Sequence, residues 1–112
     1  MRVRYVGKPD QGLVVYGEDA MRLDAEYDVL EIYSQADGGS YFRVEPIEHE
    51  APPLFDVRLF VVTSPLLPDN WEVGMAEDGS LTIGPPEWQV VDFWEAYLNG
   101  EQWALAAYAE HR

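Results

Sequence analysis

The sequence predicts an α+β fold: a small antiparallel β-barrel or sheet over residues 1–63, then a β-hairpin and one or two C-terminal helices over residues 64–112 of the same domain. Three observations predict it. Apolar and polar residues alternate with a period near two in the first half, as half-buried strands require. Asp37-Gly38 and Asp78-Gly79 sit between such stretches, and tight hairpin turns need residues that tolerate positive φ. From Glu87 onward the apolar spacing lengthens to that of a helix.

Taken in order, Arg2 to Val6 alternates, with Val3 and Tyr5 on one side and Arg2, Arg4 and Val6 on the other. Gly7 to Gly12 reads as a loop and Leu13 to Tyr16 as a short strand. Asp24 to Tyr33 reads as one longer strand with apolar positions at Tyr27, Val29, Leu30, Ile32 and Tyr33. Asp37, Gly38 and Gly39 turn the chain, Tyr41 to Val44 returns it, and Pro46 closes the pair. Pro52 and Pro53 precede a further strand, Leu54 to Val62.

Thr63, Ser64, Pro65 and Pro68 then punctuate a connection to the second part. Trp71 to Ala76 and Leu81 to Ile83 flank Glu77-Asp78-Gly79-Ser80 as a hairpin, which Gly84, Pro85 and Pro86 stop. A helix beginning at Glu87 would align Val90, Phe93, Trp94, Tyr97 and Leu98 on one stripe and turn Asp92 and Glu95 away. Asn99 and Gly100 end it. Glu101 to Glu110 makes a last helix, and His111 and Arg112 suit its negative C-terminal end.

Charge separates the two halves more sharply than secondary structure does. The chain has seven bases, twenty-one acids and a formal charge of −14, and from Leu59 to His111 there is no lysine or arginine among nine acids and all four tryptophans. A segment so acidic and poor in aromatics would stay unfolded, but Trp71, Trp88, Trp94 and Trp103 supply surface worth burying. A folded acidic face either meets something basic or keeps the protein soluble. Phosphate backbones and anionic lipid are repelled, so direct nucleic-acid and membrane binding are not expected. The absence of cysteine excludes a disulfide scaffold and a thiolate nucleophile. No apolar run follows the basic start MRVRYVGKPDQG, so a cytoplasmic location is expected.

Enzyme signatures are missing: the chain has no GxSxG, Walker loop, HExxH or GxGxxG. His49 lies in an EHE triplet, yet adjacent strand residues face opposite ways and a metal site needs three or four converging ligands. AEDGS lacks the alternating acids of a calcium loop and is explained as a hairpin turn. Trp88, Phe93, Trp94 and Tyr97 at helical spacing read as core before they read as a ligand platform. No catalytic residue, metal ligand or cofactor is expected.

The order DVLEIY, YFRV, LFDVRLF, LPDNW, GSLTIGPPEW and FWEAYLNGE, spanning about Tyr27 to Tyr108, resembles a group of small acidic bacterial proteins read as immunity proteins of polymorphic toxin systems. The residues that carry the resemblance, among them Trp71, Gly79, Pro85, Trp88, Phe93, Trp94, Glu95 and Tyr97, are of the kind a fold needs. The first half is also similar to a barrel of the Src-homology-3 type. The resemblance implies a non-catalytic protein that binds and neutralises a cognate toxin. If the toxin's active site is a basic cleft, Glu72, Glu77, Asp78, Glu87, Asp92 and Glu95 would stand in for phosphates. A regulatory or nucleic-acid-mimic module for a basic cellular protein is the alternative, and a small hydrolase with paired carboxylates a third.

Overall fold

The computed structural model describes residues 1–7, 21–47 and 50–111, so the expected strand Leu13 to Tyr16 and His49 of the EHE triplet lie outside the described residues. The fold is α+β, with two antiparallel sheets followed by helices. Strands β1 (Arg2–Tyr5), β2 (Glu26–Asp28) and β6 (Phe60–Ser64) form a sheet of order β2-β1-β6. Strands β3 (Glu31–Ser34), β4 (Ser40–Arg43), β5 (Leu54–Asp56), β7 (Glu72–Met75) and β8 (Leu81–Gly84) form a second, β5-β4-β3-β8-β7. The C-terminal hairpin is therefore an extension of the larger sheet, with β8 pairing β3, and not a module laid on top of it.

Two expected strands are each divided between the sheets. Asp24 to Tyr33 breaks at Val29–Leu30, where the Val29 amide donates to Met1 O (2.9 Å) in the first sheet and the Leu30 amide to Arg43 O (2.8 Å) in the second. Val29, Leu30 and Glu31 are consecutively buried, which no single flat strand allows. Leu54 to Val62 breaks at Asp56, whose carboxylate accepts from the Arg58 amide (2.8 Å) and opens a 3₁₀ turn over Val57–Leu59. Bonds from Arg58 hold the Asp56 carboxyl below its ordinary range. Strands that change sheets at such corners are how two sheets enclose one core. Val3, Tyr5, Val29, Phe42, Val44, Phe55, Leu59 and Phe60 fill the space between them.

The expected helix from Glu87 is also divided. Pro86–Gln89 is a 3₁₀ turn, Val90 is extended, and Asp92 takes a left-handed φ of 65° before α1 (Phe93–Leu98) begins. The β-branched pair Val90-Val91 favours extended backbone. Trp88 decides the break by turning inward: it is buried, its indole N–H donates to Ala107 O (3.0 Å), and it stacks on Phe93 and Tyr108. Val90 and Leu98 consequently leave the buried stripe for solvent. The stop after α1 is as expected. Gly100 at φ 74° donates to Tyr97 O (3.1 Å) and Glu101 to Ala96 O (3.0 Å), the paired bonds of a left-handed helix cap.

Helix α2 (Gln102–His111) buries Ala104 and Tyr108 against Trp88, Phe93 and Leu30 in a second apolar cluster. The Tyr108 hydroxyl donates to Glu45 (2.5 Å), tying α2 to the segment after β4.

Candidate functional site

Cross-strand register assigns each residue of the five-stranded sheet to a face. Phe55, Phe42, Ile32, Ile83 and Val73 form one row across β5-β4-β3-β8-β7, on the side of the intersheet core. On the opposite side lie the row Asp56, Tyr41, Tyr33, Thr82 and Gly74 and the neighbours Leu54, Arg43 and Glu31. The helical segment covers only part of this second face. What remains open is a groove of about 510 Å³ floored by Glu31, Arg43, Tyr33 and Thr82, walled by Trp88 and Trp94, and rimmed by Gly74–Ala76 and Val91.

The floor holds a buried ion pair. Arg43 Nε donates to Glu31 Oε1 (2.9 Å), Nη1 donates to Pro52 O (2.7 Å), and the guanidinium carbon lies 3.9 Å from the Trp94 ring centroid. Burial pushes the Glu31 carboxyl up, while the Arg43 charge and hydrogen bonds from Arg43 and Trp94 pull it down without restoring its ordinary value. Burial likewise lowers Arg43, against the pull of Glu31. Such a pair is held by complementary geometry, and each charge depends on the other to offset its desolvation. Gly84 makes room for it, because a Cβ there would lie 3.1 Å from Glu31 Cγ. Gln89 Nε2 donates to Glu72 O (2.8 Å) and Gly84 O (3.2 Å), fixing the 3₁₀ turn to β7 and β8.

The six acids singled out in the sequence are all exposed, but they do not form one cluster on one element. Glu72 is on β7, Glu77 and Asp78 are in the β7–β8 turn, Glu87 is in the 3₁₀ turn, Asp92 precedes α1 and Glu95 is in its first turn. Asp78 builds its turn: its carboxylate accepts from the Ser80 amide (2.9 Å), and the bonds from Ser80 hold it below the ordinary range. Glu87 lies 2.8 Å from His111 Nε2, although the contact is not aligned as a hydrogen bond. The same ring contacts Asn70 through Nδ1 (3.1 Å) and meets Trp88 edge-on, so His111 braces the helix end. Glu72, Glu77, Asp92 and Glu95 have no cationic partner among the described residues, whereas Arg2, Arg4, Arg43 and Arg58 each pair with an acid of the first half. Along the chain these four acids bracket the groove rims: Glu72 and Glu77 enclose Gly74–Ala76, and Asp92 and Glu95 flank Val91 and Trp94.

Sequence reasoning passed over the groove floor. The available signal was a charge in the middle of an apolar run, Glu31 between Leu30 and Ile32 and Arg43 between Phe42 and Val44. Of the tryptophans, Trp88 is core, Trp94 is half-buried at the groove, Trp71 packs on the intersheet core, and Trp103 is 47% exposed. Among the described residues no three metal-ligating side chains converge, and no helix is long and apolar enough to cross a membrane. No family model, curated protein or solved structure matches the chain.

Proposed function

We propose that this protein is a non-catalytic, cytoplasmic binder that docks its acidic groove rim on a basic protein, and that the partner is a cognate bacterial toxin. The observation that carries the reading is the set of four exposed carboxylates, Glu72, Glu77, Asp92 and Glu95, around an aromatic groove and without a cationic partner among the described residues. Aromatic walls and a carboxylate rim suit lysine and arginine side chains, which pack their stems on rings and present their charge to acids. The toxin assignment rests on the motif order of the sequence. An acidic face of this kind steers a basic partner, raising association to on the order of 10⁸ M⁻¹s⁻¹ at low salt.

The test is to identify the adjacent upstream gene and co-express its product with this chain, followed by co-purification and association kinetics. The chain is expected to rescue growth and form a complex whose association slows steeply with salt. A variant carrying Glu72→Gln, Glu77→Gln, Asp92→Asn and Glu95→Gln is expected to associate at least about tenfold more slowly at low salt. Failure of rescue with no complex recovered would reject the toxin reading. Unchanged association of the quadruple variant would reject this surface.

A further inference from the structure

Strand β7 ends the five-stranded sheet, with no strand on its outer edge among the described residues. In the β7–β8 hairpin the Ala76 amide donates to Ser80 O (2.9 Å), so by antiparallel alternation Glu72 and Gly74 bond inward to β8 while Val73 and Met75 direct their amides and carbonyls outward. Neither Val73 nor Met75 has a partner across that edge among the described residues, and they are 65% and 74% exposed. Proteins ordinarily blunt such an edge with lysine, proline, a bulge or extreme shortness. The other edges carry these devices: β5 follows Pro52-Pro53 and has three residues, β2 has three, and β6 runs into Pro65 in a sheet with an irregular register between Arg2 and Val3. β7 carries neither proline nor lysine.

Resting on the docking function proposed above, we infer that β7 receives an extended, basic segment of the partner as a sixth strand of the sheet. Backbone pairing at Val73 and Met75 would supply register, and alternate side chains of the added strand would point toward the groove rim. Charge selects the occupant. Glu72 opens β7 and Glu77 and Asp78 follow it, so a lysine- or arginine-bearing strand is attracted at both ends. A second copy of this chain, itself at −14, would bring like charges to the same edge.

The probe is a capped synthetic peptide alternating lysine and valine, with a glutamate–valine peptide as its counterpart, titrated into the full chain while amide shifts and hydrogen exchange are read. The lysine peptide is expected to bind saturably below about 1 mM and to protect the Val73 and Met75 amides, and the glutamate peptide not to bind. Val73→Lys at this exposed site is expected to weaken the lysine peptide roughly tenfold or more, while Thr63→Lys on β6, with the same charge change, weakens it less than about threefold. Several results would overturn the strand-addition inference: no saturable binding, equal binding of the glutamate peptide, equal effects of the two lysine variants, or protection of Val73 and Met75 in the free protein that grows with its concentration. Lysine-peptide shifts confined to α1 and the groove would overturn it while leaving the acidic docking reading intact. That reading stands or falls separately, on rescue and complex formation.

Discussion

The two faces of the five-stranded sheet are made from alternate residues of the same strands, yet they are stabilised in different ways. Phe55, Phe42 and Ile32 face a second sheet and are held by apolar contact, which tolerates many arrangements of similar volume. One residue along, Arg43 and Glu31 face the helical segment and are held by a hydrogen-bonded charge pair under Trp94. Directional pairing fixes position, but it cannot fill space as rings do. The second face consequently keeps a groove.

Paired substitutions break this comparison most strongly. Phe55→Ala, at a fully buried position, is expected to cost about 3–5 kcal/mol in urea unfolding. Arg43→Met is expected to cost a similar ~3–5 kcal/mol because it leaves Glu31 buried and unpaired. The second loss has a remedy: Glu31→Leu combined with Arg43→Met is expected to return to within about 1 kcal/mol of the parent. If the double variant is no more stable than Arg43→Met alone, the face is held by packing around the pair and not by mutual neutralisation.

A smaller effect comes from pH. Burial raises the folded-state Glu31 carboxyl above its ordinary 4.5, so between 4.5 and the raised value the folded chain binds this proton more readily than the unfolded chain. The contribution is full below 4.5 and is lost as pH rises through the folded value, with a slope of at most about 1.4 kcal/mol per pH unit. Asp56 runs the other way: its stabilisation is present above 3.8 and fades as pH falls. Glu31→Gln is therefore expected to remove a decline in stability above pH 4.5 and to keep the acid-side loss. Parallel parent and variant profiles from pH 4 to pH 8 would contradict the assignment. The smallest effects belong to residues that the helical pattern would have buried. Leu98→Gln is expected to change unfolding stability by less than about 0.5 kcal/mol, since Leu98 is 70% exposed, and a loss above about 1.5 kcal/mol would show that it packs.

Local chemistry was readable wherever a few neighbouring residues decide the outcome. The Asp37-Gly38 and Asp78-Gly79 turns, the return strand after Ser40, the Trp71 hairpin and the Gly100 stop all occur where the sequence places them, because turn and cap conformations depend on residues close in the chain. The breaks at Val29–Leu30, at Asp56 and at Val90 were not readable as breaks. In each, an apolar run continues while its destination changes, and the destination is a partner element distant in sequence. The site divides similarly. The exposed acids were visible as a stretch without bases, whereas the Glu31–Arg43 floor needed two strands brought into register.

By itself the sequence determined an α+β chain with an acidic, tryptophan-rich second half, since composition, period and turn residues act locally and need no partner. The tertiary structure alone decided which carboxylates lack a cation and that β7 lacks a partner strand on its outer edge, both among the described residues, and which tryptophans wall the groove. Those outcomes depend on how strands order themselves in a sheet, and strand order is set by contacts between residues far apart in the chain.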